Sequence, residues 1–277
     1  MPLPAPDNPP VLCMAVFDPY SYDPEDCVAV VGPAKSLVLD MTNNEILSMP
    51  PSLGEIDDSC AAAAGHLDGV PFVIVAGDSA VQLYKDGGWT ILSKMQKSHS
   101  MASGVMFDNL FFVTGGGSEC ESYNFGKSSW NCVASLGVPC FKHATVVYNG
   151  AIVVIGGQDE KGRPVETCES YNVKMDRWEF FPRLVFCKTP VHTAAVVQDK
   201  IYAVGDDHLE VYDGFNWIPF MMDFRREGHT AVCVNNMLCL LGGDRPEIDM
   251  YDPMTKTWSL SSLALNPRWS VDTIIVA

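Results

Sequence analysis

Residues 240–258 read LLGGDRPEIDMYDPMTKTW, an apolar run that ends in two glycines. Tyr251 follows eight residues after the second glycine, Gly243, and Trp258 stands seven residues further on. A short apolar run stopped by glycine is typical of a buried strand that ends in a sharp turn. An Asp-Pro pair after the tyrosine favours a second tight turn before the tryptophan. The stretch therefore predicts consecutive short strands joined by turns.

The same order of residues recurs along the whole chain. The anchoring glycines are separated by 45, 39, 41, 48 and 38 residues, and they are Gly32, Gly77, Gly116, Gly157, Gly205 and Gly243. Three of them are preceded by a second glycine: Gly115, Gly156 and Gly242. Self-similarity at this period indicates a repeat architecture.

An aromatic pair follows most of the anchors. The tyrosines are Tyr84, Tyr123, Tyr171, Tyr212 and Tyr251. The tryptophans are Trp89, Trp130, Trp178, Trp217 and Trp258. The first unit has Leu39 and Ile46 in their place, and a further apolar strand precedes most anchors. Large apolar rings with a polar tip are suited to packing between adjacent sheets with that tip hydrogen-bonded.

The pattern resembles the kelch repeat, in which an apolar strand ends in Gly-Gly and is followed by Tyr-Asp or Tyr-Asn and then Trp. Residues 143–178 and 229–258 are the best copies, and the first unit is the weakest because it lacks the double glycine and both aromatics. The resemblance implies an all-β, six-bladed kelch β-propeller with four antiparallel strands per blade. We expect one propeller over residues 11–277, after a flexible proline-rich lead-in over residues 1–10.

Two segments are candidates for the inner strand of the first blade, residues 11–17 and residues 271–277. The C-terminal one aligns with the first strand of the other units and is slightly favoured.

The net charge is −16, and residues 1–92 carry 13 acidic residues against two lysines. This balance argues against nucleic-acid binding, which needs a basic surface. It is typical of a solubilising surface, or of an acidic face presented to a basic partner. No apolar run approaches the length of a membrane-spanning helix, and the N-terminus lacks a signal-peptide pattern, so we expect a cytoplasmic protein without a membrane partner.

Ten cysteines show neither CxxC nor a metal-ligand spacing. Cys120 and Cys168 stand three residues before a tyrosine, where other units have Val81, Leu209 and Ile248. This exchange favours reduced, buried thiols in a reducing compartment over disulfides or thiol chemistry.

Catalytic signatures are weak: there is no GxSxG, P-loop, HExxH or dinucleotide motif. His143, His192 and His229 share one position at the start of the first strand, which favours a structural hydrogen bond in each blade over a shared metal. We therefore expect no cofactor, no metal and no enzymatic activity. The alternative is a kelch-fold enzyme similar to sugar oxidases or epimerases, although the copper ligands of such oxidases cannot be placed here.

The resemblance implies that the loops between the second and third strands and the segments that link blades form a partner-binding face. Arg226 and Arg268 match the arginine that often precedes the first strand in this family, and His99 holds the same position in another unit. Four further candidates lie nearby: Arg225, Lys142, Lys188 and Trp269. Trp269 is equally consistent with packing at the ring closure. The charged insertion at residues 158–164 lengthens one loop on this face, and it is either a further contact or a solvated loop.

The sequence thus predicts a non-catalytic module that binds another protein, with a ubiquitin-ligase substrate or actin as possible partners. A cytoskeletal, actin-cross-linking protein of the scruin type is the alternative.

Overall fold

The computed structural model describes residues 13–15, 27–31, 36–40, 45–50, 52–53, 61–77, 80–186 and 188–264. Every regular element in these ranges is a β-strand, so the all-β prediction is confirmed. No helix in this described part is long and apolar enough to cross a membrane.

Five propeller blades of four strands each are formed by residues 61–264. Each blade is antiparallel and pairs its strands in chain order. The strands are β5 (Ala61–Leu67), β6 (Val70–Ala76), β7 (Val81–Lys85) and β8 (Gly88–Leu92); β9 (Ser103–Phe107), β10 (Leu110–Thr114), β11 (Cys120–Asn124) and β12 (Ser129–Val133); β13 (Ala144–Tyr148), β14 (Ala151–Ile155), β15 (Cys168–Asn172) and β16 (Arg177–Phe181); β17 (Thr193–Val197), β18 (Lys200–Val204), β19 (His208–Tyr212) and β20 (Trp217–Met221); β21 (His229–Val234), β22 (Met237–Gly242), β23 (Glu247–Asp252) and β24 (Thr257–Ala264).

The prediction of six equivalent blades is wrong, because five blades carry the complete repeat. The strands β1 (Cys13–Ala15), β2 (Cys27–Val31), β3 (Ser36–Asp40) and β4 (Glu45–Met49) form a further antiparallel sheet. In that sheet Leu39 lies opposite Ile46. It therefore lacks the aromatic pair found at the contacts between successive sheets, here called seams. Four strands in order therefore do not by themselves reproduce the packing of a kelch blade.

Of the two candidates for the first strand of this further sheet, the N-terminal one occupies that position in the structure. Cys13–Ala15 pairs with β2. The C-terminal candidate at residues 271–277, which the alignment slightly favours, lies outside the described residues, as do the lead-in at residues 1–10 and Gly32.

The first strands of the five blades line the propeller axis. Strands β5, β9, β13, β17 and β21 contact one another in chain order. They surround a cavity of about 760 Å³, here called the channel. Because the strands of a blade alternate in direction, the links between blades and the turns between second and third strands share one end of the propeller, the link face. The other turns form the opposite end, the turn face.

The predicted tyrosines and tryptophans are direct cross-strand neighbours in all five blades. Their ring centroids lie 5.0–5.3 Å apart. Four indole N–H groups donate to backbone carbonyls of the preceding sheet, from Trp89 to Pro50, Trp130 to Ser93, Trp178 to Ala134 and Trp217 to Pro182. Each such bond is 2.8–3.0 Å long and ties a blade to the residue that follows the preceding sheet; Trp130 and Trp217 are buried, and Trp89 and Trp178 are partly exposed.

The second glycine of each Gly-Gly pair lies against the preceding link. Gly116 and Gly157 have φ values of +71° and +86°. A Cβ on Gly116 would lie 2.7 Å from the backbone oxygen of Ser100, and one on Gly157 would lie 2.6 Å from that of Phe141. Both the backbone angle and the close contact exclude a larger residue there. The amide of the glycine that directly follows the second strand donates across the turn in four blades. These glycines are Gly77, Gly115, Gly156 and Gly205.

Candidate partner-binding face

A second set of bonds between blades uses the residue two positions before each tyrosine. These residues are Gln82, Glu121, Glu169, Glu210 and Asp249, and four of the five are acidic. The carboxylate of Glu121 accepts the amides of Gln96 and Lys97 at 2.9 and 2.6 Å. Both donors belong to the link that precedes this blade, so one carboxylate holds the link against the next sheet.

The next two seams repeat this carboxylate clamp. Glu169 accepts the amides of Gly137 and Val138, each at 2.9 Å. Glu210 accepts those of Val185 and Phe186 at 2.7 and 3.0 Å. These residues are not among the predicted contacts, although an acid stands two positions before the tyrosine in four of the five units.

The last seam replaces the amide donors with an arginine. Asp249 is one methylene shorter than glutamate, and its Oδ2 accepts from Nη1 of Arg226 at 2.5 Å. The same guanidinium donates to the carbonyl oxygens of Gly242 and Arg245. Arg226 is fully buried. Its charge is thus used between the last two blades.

We expect Glu210→Gln to lower the free energy of unfolding by about 1–3 kcal/mol. Glu210 is fully buried, and a neutral amide accepts only one of the two N–H groups that the carboxylate holds. At the equivalent position of another blade, the Gln82 side-chain oxygen accepts the Leu53 amide at 2.7 Å. Urea denaturation measures the change. Glu166→Gln, which removes an exposed ion pair with Arg183, is the control and should cost less than about 1 kcal/mol; equal losses in the two variants would contradict the clamp.

Two of the residues predicted to contact a partner are buried in the structure. Arg226 is 0% exposed and His99 is 2% exposed. His99 contacts the carbonyl oxygen of Gly115 at 2.9 Å and the Glu121 carboxylate at 3.1 Å. Because both side chains are engaged between blades, a docked protein would not reach them without opening a seam.

Three other predicted contacts are exposed on the link face: Arg225, Lys142 and Lys188. Arg225 Nη2 lies 2.8 Å from Glu227 Oε1 and 3.5 Å from Asp206 Oδ2. Lys188 lies over the ring of Phe186, with its Nζ 5.2 Å from the ring centroid. Arg268 and Trp269 lie outside the described residues, so they stay predictions.

The insertion at residues 158–164 is an ordered loop beside these residues. Asp159 accepts the amides of Lys161 and Arg163 and pairs with the Arg163 guanidinium. At its base, Gln158 exchanges backbone hydrogen bonds with Phe141, next to Lys142. The loop therefore holds a fixed position at the rim of the channel.

The channel opens on the link face between polar side chains. Lys142, Gln158, Asp206 and Glu227, here called the mouth, belong to links and turns of that face and line the cavity. The walls are formed by the first strands and are built largely of small residues: Ala63, Ala64, Gly104, Ala144, Ala194, Ala195 and Ala231. A cavity of this size with a polar rim is able to receive a side chain or a small molecule.

The three repeat histidines line the same channel but do not form a metal site. His192 and His229 have ring centroids 4.8 Å apart, and His143 contacts the hydroxyl of Thr114 at 3.0 Å. Among the described residues, no group of three His, Cys, Asp or Glu side chains is arranged to hold a metal ion. His229 uses its Nδ1 for the carbonyl oxygen of Arg226 at 2.9 Å, which is the structural role favoured for this position.

Burial makes these histidines a source of acid sensitivity. It lowers the pKa of His143 to about 4, and it also lowers the pKa values of His192 and His229. In the unfolded chain, the His143 imidazole has an ordinary pKa near 6.5 and binds a proton as the pH falls below that value. In the folded chain it stays neutral until the pH approaches 4. Stability is thus complete above pH 6.5 and falls as the pH drops from 6.5 towards 4, by up to about 3 kcal/mol for His143 alone.

Thermal melting between pH 7.5 and 4.5 checks this expectation. The melting temperature of the wild type should fall steadily below pH 6.5, and His143→Gln should flatten part of the slope. A melting temperature that is constant over this range would contradict it.

Four of the cysteines whose side chains are described are free thiols: Cys120, Cys132, Cys140 and Cys239. Burial raises the pKa of Cys120 to about 12, so its sulfur stays protonated and unreactive near neutral pH. Cys120 and Cys168 are both buried, as expected of small apolar residues in this position.

Comparisons with known proteins agree with this geometry. The Kelch motif family model matches residues 139–184. Kelch-like protein 38 of Danio rerio is 26% identical over 69% of this chain, and alpha-scruin of Limulus polyphemus is 24% identical over 75%. The solved structure of YjhT is 12% identical, with a TM-score of 0.72 over 93% of this chain and 99% of that one, a likeness of fold.

These relatives are much longer than the matched region. The chain spans 37% of the length of Kelch-like protein 38 and 27% of that of alpha-scruin. The similarity therefore concerns the repeat region, and the predicted kelch relationship is confirmed for it.

Proposed function

We propose that this chain, a member of the kelch-repeat family, is a non-catalytic module that binds another protein through its link face. The supporting observation is that the repeat side chains are used between blades, whereas a separate group of basic side chains is exposed. The repeat tryptophans and the acids before the tyrosines are engaged in the seams, whereas Arg225, Lys142 and Lys188 are exposed around the channel mouth.

Two features of the link face favour it over the turn face as the docking surface. It contains the channel mouth, and it contains the ordered insertion over residues 158–164. Exposed apolar side chains stand on both faces, such as Val185 on a link and Phe215 and Met254 on the turn face, so they do not separate the two.

Lysine acetylation footprinting tests the proposal, because both faces carry matched exposed lysines. The protein is captured from an extract of its source cells together with whatever it binds, and the complex is labelled. Lys142 and Lys188 on the link face should be protected relative to the free protein, whereas Lys127 and Lys256 on the turn face should not. Protection of the turn-face pair alone, or recovery of no stoichiometric partner, would refute the proposed docking surface.

A cytoskeletal role is the second candidate, supported by the similarity to alpha-scruin over 75% of this chain. Co-sedimentation with actin filaments separates it from other kinds of partner. A kelch-fold enzyme is the third, and turnover of a sugar substrate by the purified protein would favour it. We place the module in the cytoplasm, with the free thiols of the described blades as support.

A further inference from the structure

The channel mouth contains two carboxylates that already hold a cation from the same chain. Arg225 Nη2 lies 2.8 Å from Glu227 Oε1 and 3.5 Å from Asp206 Oδ2. The Arg225 side chain is 61% exposed, so this contact is solvated. Exposed ion pairs of this kind contribute only about 0.2–1 kcal/mol, and a cation from another molecule is therefore able to replace the guanidinium.

The channel behind these carboxylates contains buried imidazole nitrogens that have no hydrogen-bond partner. His229 is 2% exposed and lines the channel, and its Nε2 has no hydrogen-bond partner. Its Nδ1 lies 2.9 Å from the carbonyl oxygen of Arg226, which places the proton on Nδ1 and leaves Nε2 as an acceptor. His192, in ring contact with His229, also has an unpartnered Nε2.

The channel walls suit an alkyl chain. They are lined by alanine and glycine from the first strands, such as Ala64, Gly104, Ala195 and Ala231. Lysine and arginine pack their methylene groups along apolar surface and keep the charged end among polar groups. Burial keeps the His229 imidazole neutral at physiological pH, so its unpartnered Nε2 is able to accept a hydrogen bond from a cation but has no proton to donate to a carboxylate.

We propose that the mouth and the channel receive one lysine or arginine side chain from a basic segment of the partner protein, which displaces Arg225 from Asp206 and Glu227. The proposal rests on the proposed function and adds the chemistry of the partner. Lys142, at the same mouth, repels a second cation, so the site accepts a single basic residue rather than a basic run. The net charge of −16 attracts such a segment from a distance.

Substitution of Arg225 distinguishes a basic occupant from an acidic one. If the partner presents a cation, Arg225 competes with it, and removing Arg225 strengthens binding. If the partner presents a carboxylate, Arg225 is a contact, and removing it weakens binding. The sign of one substitution therefore identifies the class of ligand.

Fluorescence anisotropy with labelled glycine–serine peptides is the test, each peptide carrying one central Lys, Arg, Gln or Glu. We expect the Lys and Arg peptides to bind the full chain better than the Gln and Glu peptides. Arg225→Gln should tighten binding of the Lys peptide by about three- to tenfold, and Asp206→Asn combined with Glu227→Gln should weaken it at least tenfold. Melting temperatures of all variants confirm folding.

A matched control separates the site from general attraction to an acidic protein. Asp68→Asn combined with Asp86→Asn removes the same charge from exposed turns of the turn face and should change affinity less than twofold. Preference for the Glu peptide, weaker binding by Arg225→Gln, an equal loss in the turn-face variant, or no binding of the Lys peptide at millimolar concentration would each overturn the proposal. The proposed function is judged separately, since link-face protection in the footprint does not depend on which side chain enters the channel.

Discussion

Replacing Arg226 with alanine should lower the free energy of unfolding by about 3–5 kcal/mol, because it strands a buried carboxylate. Arg226 and Asp249 are both buried, and the guanidinium also donates to the carbonyl oxygens of Gly242 and Arg245. The alanine variant removes the buried donor from these acceptors, leaves the Asp249 carboxylate only the partly exposed Arg245 guanidinium at 3.7 Å, and opens a cavity between the last two blades. Equilibrium denaturation with urea measures the loss.

Arg225→Ala is the control for this prediction. The two arginines are adjacent in sequence and carry the same charge, but the Arg225 side chain is 61% exposed. Its removal should change stability by less than about 1 kcal/mol. If Arg226→Ala were as mild as Arg225→Ala, the buried pair would not hold the last seam.

Replacing Gly243 with alanine should lower stability by roughly 3 kcal/mol or more, which combines backbone strain with overpacking. Gly243 has a φ of +76°, and a Cβ there would overlap the backbone oxygen of Glu227. The contact is with the backbone of the preceding link, so no side chain is able to move aside. Thermal and urea denaturation measure the effect, and loss of soluble protein is its extreme form.

Gly150→Ala measures the backbone strain alone, without a close contact to a preceding link. Gly150 has a φ of +74°, but a Cβ there meets nothing within 4 Å. That variant should lose only about 1–2 kcal/mol, the cost of the left-handed conformation. Equal losses at Gly150 and Gly243 would show that the close approach to the link adds nothing.

The strand order and the aromatic seams follow from the sequence pattern. Tyr84 and Trp89 are separated by five residues and Tyr123 and Trp130 by seven, yet both pairs lie directly opposite each other. The difference is taken up by the length of the turn between them. The pattern is local, because strand alternation and turn chemistry depend on a few consecutive residues.

The candidate site is less predictable from the sequence. The family pattern predicts that Arg226 contacts a partner. In the structure its guanidinium instead donates a hydrogen bond to the carboxylate of Asp249, 23 residues away, within the last seam. Glu121 similarly gains its role from amides 24 and 25 residues distant. The number of complete blades was also overestimated, since the Leu39 and Ile46 pair keeps the strand register without the aromatic seam.

The sequence by itself determined that this protein is a repeat of short strands, similar to the kelch motif, because glycine, tyrosine and tryptophan recur at spacings that short-range geometry requires. Only the tertiary structure decided which of two neighbouring arginines is buried and which is exposed at the channel mouth. Burial depends on the sheet that packs against a residue, and here that sheet comes from another part of the chain.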